Sequence, residues 1–280
     1  MNIKKKLKPI TFNMWLITTM FAFIQFFLQI VFAAMTNEIM KSFDIGATVT
    51  GVLSSAFFYT FIILQVPAGI ILDRINIRVV ITAATAVCGI GCIIFGLAPT
   101  LSIAFAGRLL MGVGGTFGFL GMTKAVRLWY KKNKFALMVG MSELLANLAA
   151  AFGIGVATFF VVRFGWRGNM VVYGLIVLIL SLISFLFLTQ PDNTKKPRTY
   201  RLTVRKQVIM VLRKPQCWLA CLYALGMFSI VTTFCALWGL PFLVKMYGLS
   251  NEMAGIGISI VFIGLAMGCP IIGFMVNALG

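Results

Sequence analysis

Four polar residues stand inside long apolar runs, and their types limit the chemistry available to the chain. Glu143 is the one acid placed deep within such a run. Desolvation favours the neutral form of a carboxylic acid, so Glu143 is a candidate proton carrier; pairing with an arginine or lysine at the inner surface is an equally good account. Arg108 lies well inside another run. A charge at the centre of a membrane helix costs at least ~2.5–3.5 kcal/mol and normally faces a bundle interior or a water-filled cavity. Arg108 is therefore a candidate for holding an anion, with a structural or snorkelling arginine as the alternative. Gln25 and Gln29 lie one helical turn apart and share a face. They are placed either to orient a bound solute or to hydrogen-bond between helices. At the α-helical rise, Glu143 sits about 12 Å from the inner end of its run and Arg108 about 10 Å from the outer end of its own, so the two are not expected to pair.

Covalent catalysis has little support. The chain contains no histidine, and its cysteines (88, 92, 217, 221, 235 and 269) all fall inside or at the start of apolar runs, as small buried residues do. No nucleophile, base and metal-ligand constellation is present. Neither an enzyme, a cofactor nor a metal site is expected.

These residues must be positioned by membrane helices. Hydrophobic residues make up 61% of the 280 and charged residues 11%, far from the balance of a soluble domain. Eight runs are long enough to span a bilayer: 12–34, 47–72, 78–98, 101–127, 135–161, 168–189, 216–243 and 252–276. Lys4, Lys5, Lys6 and Lys8 precede the first run, which at 12–34 is longer than the apolar core of a cleavable signal and reads as a retained helix. Residues 191–215 form a polar, basic centre, and 200–214 has the alternation of a surface-lying amphipathic helix.

The net charge of +18 is topological. With the N-terminus inside, nineteen Lys and Arg residues fall in cytoplasmic segments and four in outer ones, the bias of the positive-inside rule. The basic charge therefore gives no reason to invoke nucleic acid. The expected partners are the lipid bilayer, a small solute and protons.

Between the second and third runs lies a compact charged segment, Gly69, Asp73, Arg74, Asn76 and Arg78. A generic basic loop does not account for the acid, nor for a glycine one turn before it, where a helix could approach closely. Asn76 reads as a turn residue that tolerates left-handed backbone. On the fourth run, Arg108 is followed by Gly112, Gly114, Gly115, Gly118 and Gly121, a small face for tight helix packing.

The pattern Gly69-x-x-x-Asp73-Arg74-x-x-x-Arg78 resembles the signature loop between helices 2 and 3 of the major facilitator superfamily, with Asn76 where that family usually has glycine. Arg108-x-x-x-Gly112 and Gly165-Trp166-Arg167 are similar to the same family. A faint internal repeat agrees: at an offset of 204, Phe43 falls on Tyr247, Gly51 on Gly255, Ser55 on Ser259, Gly69 on Gly273 and Asp73 on Asn277.

The resemblance implies an all-α integral membrane protein of two six-helix halves that rock about a central cavity. Residues 1–190 would be one complete half and 216–280 the first two helices of the other, the chain stopping after its eighth helix. The implied function is secondary active transport of a small organic solute across the cytoplasmic (inner) membrane, by proton symport. Arg108, Gln25 and Gln29 would bind solute, Glu143 would carry the proton, and Gly69, Asp73, Arg74 and Arg78 would form a conformational latch. In the family that loop braces a helix of the opposite half, so the latch is expected to need the missing helices, supplied by a separate polypeptide. The Gly-Pro pair common on helix 5 of the family's exporters is replaced by Gly153-Ile154, which favours uptake. A drug or metabolite exporter, and a non-transporting fragment or subunit, stand as the alternatives.

Overall fold

The computed structural model describes residues 3–191, 209–210, 212–229 and 239–279, and among them no strand occurs. The chain divides into two compact units, Met1–Pro191 with Phe262–Gly280, and Asp192–Val261.

The first unit begins with α1 (Ile3–Phe43), α2 (Ala47–Arg74), α3 (Ile77–Gly96) and α4 (Leu101–Trp129). After a short 3₁₀ turn at Lys132–Lys134 comes α5 (Phe135–Phe187). The expected fifth and sixth helices are joined in α5, which is interrupted at one residue, Gly165, with φ 69° and ψ 162°. Only glycine adopts that backbone without cost, so one residue does the work expected of a loop.

α4 lies at the centre, packed on α1, α2 and α3. Its glycines make this fit. A methyl group on Gly112 would meet the Phe57 carbonyl and Thr60 hydroxyl of α2, and one on Gly114 would meet the backbone of α3 at Ala84 and Cys88. Thr60 Oγ1 donates to the Leu109 carbonyl at 2.9 Å across the α2–α4 seam. Phe21, Leu28, Phe57, Ile81, Phe95 and Met111 fill the space around them.

α1 packs against both arms of α5. On the first arm, Trp15 Nε1 donates to Ser142 Oγ at 2.8 Å, and Thr19 shares a hydrogen bond with the same hydroxyl at 3.1 Å. At the Gly165 bend, the Trp166 amide donates to Glu38 Oε2 at 3.1 Å and its indole N–H to Ser42 Oγ at 2.9 Å. Arg167 donates to the Ala98 carbonyl and lies over the rings of Phe43 and Trp166 at 5.2 and 4.4 Å. This accounts for Gly165-Trp166-Arg167. The glycine turns the chain, and the next two residues tie the turn to α1 and to the α3–α4 connection.

Asn76 departs from its expected role. It sits at φ −57° and ψ 129°, outside the left-handed region, and its side chain accepts from the Arg78 amide at 2.9 Å. It is the N-cap of α3, satisfying one of the amides that open a helix. The non-glycine residue with positive φ among those described is Asp44, at the α1–α2 turn.

The second unit contains α6 (Pro215–Ser229), α7 (Gly239–Tyr247) and the opening of α8 (Asn251–Leu279). The expected seventh run, 216–243, is helical at both ends, with 230–238 outside the described residues. The expected amphipathic segment, 200–214, falls largely outside them as well, at 200–208. In the first unit the end of α8 crosses the start of α5. A Cβ on Gly140 would stand 2.6 Å from the Cys269 carbonyl, and one on Gly273 would stand 2.7 Å from that of Ala136.

Among the described residues, six stretches are long and apolar enough to cross a membrane: Thr11–Phe32, Ala47–Arg74, Ile77–Gly96, Leu101–Trp129, Arg163–Phe187 and Met253–Met275.

Candidate functional site

Arg108 sits where α1, α2 and α4 meet, with 1% of its surface exposed. Nη1 donates to the Leu28 carbonyl at 3.2 Å and Nη2 to the Ser54 carbonyl at 3.3 Å. The guanidinium lies over Phe32 and Phe57, 4.8 and 5.4 Å from their ring centroids. Each such contact is worth about 2 kcal/mol when desolvated, which offsets part of the burial cost. Nε is buried with no hydrogen-bond partner. No carboxylate among the described residues neutralises Arg108: the ion pair found there is Asp73 with Arg127. The result is a fixed positive charge enclosed by carbonyls and aromatic faces, with one nitrogen, Nε, left without a partner.

Gln25 is 1% exposed, and its Oε1 is also buried without a partner. It rests against Gly115 and Gly118 of α4, where an added Cβ would come within 3.3 and 2.8 Å of its side chain. Phe57 touches the same Gly115, at 2.9 Å from that Cβ position. Phe57 therefore stands beside both Arg108 and the Gln25 site. Gln29 is half-buried one turn further along α1. The structure gathers Arg108, Gln25 and Phe57 at the α1–α2–α4 junction. Phe32 and Phe57 have no signal in the sequence beyond being two aromatics among many.

Glu143 lies elsewhere, on α5, half-buried, with Oε1 enclosed and unpartnered. It makes no ion pair with Arg108, in line with the depths estimated from helical rise. Asn147, expected beside it, donates to the Glu143 backbone carbonyl at 2.9 Å and leaves the carboxyl alone. The Cys269 thiol of α8 is within electrostatic reach of that carboxyl.

The charged loop is held from within its own unit. Arg78 Nε donates to the Phe185 carbonyl at 2.7 Å, and its guanidinium lies 5.0 Å from that ring. Asp73 faces Arg127 at 3.7 Å, the side chains 68% and 71% exposed; an ion pair so wet contributes at most about 1 kcal/mol. Lys124 donates to the carbonyls of Leu72 and Ile75, at the end of α2. Those carbonyls form the negative end of a helix dipole. In the sequence Lys124 and Arg127 count only toward the basic charge of one face, and their contacts with the end of α2 and with Asp73 are not foreseen. Nothing among the described residues lies within 4 Å of the Cβ position of Gly69. Gly273, its counterpart in the repeat, approaches α5 closely.

A family model described as Major Facilitator Superfamily matches residues 15–280. The chain belongs to this superfamily. Its relatives include the uncharacterized transporter YybO of Bacillus subtilis, 22% identical over 62% of this chain and 40% of that protein. Another is SauU of Cupriavidus necator, named as a probable sulfoacetate transporter, 26% identical over 54% of this chain and 36% of that one. The chain thus spans well under two thirds of the length of these superfamily members. Among solved structures it is similar to the Escherichia coli fucose:proton symporter FucP, with a TM-score of 0.65 and 14% identity over 92% of this chain and 72% of that one. That likeness shows the superfamily fold, an all-helical bundle of membrane-spanning segments. The relatives and the fold are those of transporters rather than enzymes.

Proposed function

We propose that this protein carries a small organic anion across the cytoplasmic membrane by alternating access, as a proton symporter. One observation carries the substrate class: a fully buried arginine, Arg108, with no carboxylate partner among the described residues and a free Nε. A carboxylate, sulfonate or phosphate of the solute would supply the missing charge, in the geometry that a guanidinium fork accepts. Gln25 offers a buried, unpartnered amide oxygen to a hydroxyl or N–H of the same solute, and Gln29 lines the same side of α1. The sulfoacetate named for SauU supports an organic anion, and the similarity to FucP, a fucose:proton symporter, supports coupling to protons.

Glu143 is the proton carrier in this reading. An enclosed, unpartnered carboxyl oxygen has no cation to keep it ionised, so it is suited to taking up a proton and giving it to water when the surroundings open. Gly69, Asp73, Arg74 and Arg78 serve as the latch. Gly69 has open space before it, and Asp73 and Arg74 are exposed, so the loop is free to meet a partner helix. The N-terminus is cytoplasmic by the distribution of Lys and Arg.

Proteoliposomes with an inward proton gradient test this reading against a panel of labelled carboxylates, sulfonates and phosphate esters. Accumulation of one class is expected, lost in Arg108→Ala. Glu143→Gln is expected to exchange solute across the membrane without accumulating it. Unchanged anion binding in Arg108→Ala removes the assignment of the arginine.

A further inference from the structure

Arg108 brings one positive charge into an enclosure that is otherwise electron-rich. Two backbone carbonyls, from Leu28 and Ser54, point their oxygens at the guanidinium, and the faces of Phe32 and Phe57 cover it. Carbonyl oxygens and ring faces both carry negative partial charge. They stabilise a cation and repel an anion. Negative charge admitted here must therefore be balanced by the guanidinium itself.

No second cation is at hand among the described residues. Around Arg108, α3 contributes the buried thiols of Cys88 and Cys92, α1 the Leu28 carbonyl and the Gln25 amide, and α2 the Ser54 carbonyl. Along α4 the next cation is Lys124, about 24 Å on by helical rise. Along α1 it is Lys41, about 20 Å from Leu28, and along α3 it is Arg78, about 21 Å from Cys92. On α2 it is Arg74, about 30 Å from Ser54. Arg167, at the α3–α4 connection, is held by the Ala98 carbonyl and by two aromatic rings.

The enclosure thus offers one unit of positive charge. A monoanion brings it to neutrality. A dianion leaves one negative charge out of water among oxygens and ring faces, and an uncompensated buried charge is strongly unfavourable.

We infer that the Arg108 site selects monoanions, such as a carboxylate, a sulfonate or a singly ionised phosphate ester, and rejects dianions of the same shape. The inference rests on the reading of Arg108 as the solute's charge partner and adds the charge state that the site accepts. Phosphate monoesters are the informative case. Their second ionisation, with a pKa of about 6, changes the charge while leaving the shape almost unaltered.

Equilibrium binding of phenyl sulfate and phenyl phosphate to the purified full chain tests this without any substitution. Phenyl sulfate is a monoanion throughout and reports any titration of the protein itself. If only the monoanion binds, the Kd of phenyl phosphate relative to that of phenyl sulfate rises about thirtyfold between about pH 5 and about pH 7.5, following the fraction left singly ionised. A ratio that stays flat or falls overturns the inference, while binding that depends on Arg108 keeps the anion reading. Gln29→Lys places a second cation on a half-buried position of α1, and the rise is expected to shrink. A rise that persists unchanged in Gln29→Lys shows that charge matching is not its cause, and also overturns the inference. Arg108→Gln is expected to lose both esters alike. If both still bind Arg108→Gln as before, or neither binds the unaltered protein, the reading of Arg108 fails and the inference fails with it.

Discussion

Arg78 reaches from the first turn of α3 to the last turn of α5, donating through Nε to the Phe185 carbonyl at 2.7 Å while its guanidinium covers the Phe185 ring. One side chain thereby ties the charged loop to the far end of the helical half. Replacing Arg78 with alanine removes a charge-assisted bond and a ring contact together. A loss of about 1–2 kcal/mol is expected, read as a lowered midpoint of thermal unfolding in detergent. Arg78→Lys should recover less than half of it, because an ammonium cannot reproduce the Nε direction.

Gly112 and Gly69 make a paired test of where helices meet. Gly112→Ala sets a methyl group on the Phe57 carbonyl and the Thr60 hydroxyl, and overpacking of that kind costs about 1–3 kcal/mol. Lower yield and earlier unfolding are expected. Gly69→Ala meets nothing within 4 Å and should leave unfolding unchanged. If transport is nevertheless lost in Gly69→Ala, the open space is occupied during the transport cycle.

Phe57 borders both Arg108 and the glycine that seats Gln25. Phe57→Leu keeps the apolar character and removes the ring face from the guanidinium. Solute affinity should fall by about thirtyfold, the equivalent of one desolvated ring contact of about 2 kcal/mol, with the transport rate at saturating solute little changed. Equilibrium binding and transport kinetics on the same preparation separate the two.

Asp73→Asn breaks an exposed pair with Arg127. Its effect on unfolding should be under about 1 kcal/mol and should fade at high salt. A larger effect on transport than on unfolding would assign Asp73 to a contact made during movement.

Much of this is legible in the sequence because a bilayer restricts what a helix can contain. The apolar runs give most helix ends to within a few residues, and the glycines of α4 announce a crowded helix. The partners of Arg108 are not legible, since two of them are backbone carbonyls that any residue could supply. Lys124 is hidden for the same reason: it meets the carbonyls of Leu72 and Ile75. Asn76 reads as a turn former because its side chain serves turns and helix caps alike, and the backbone angle alone decides between them. Gly165 reads as part of a loop between two helices, whereas in the structure helix runs up to it from either side.

The Trp166 contacts bear on how the first unit can move. Its amide and indole N–H are held by Glu38 and Ser42, and Arg167 beside it is fastened to Ala98. Prising α1 from the α5 bend would break both Trp166 bonds together, so that end behaves as a rivet. Any movement of the first unit therefore carries α1 and the α5 bend together at that end.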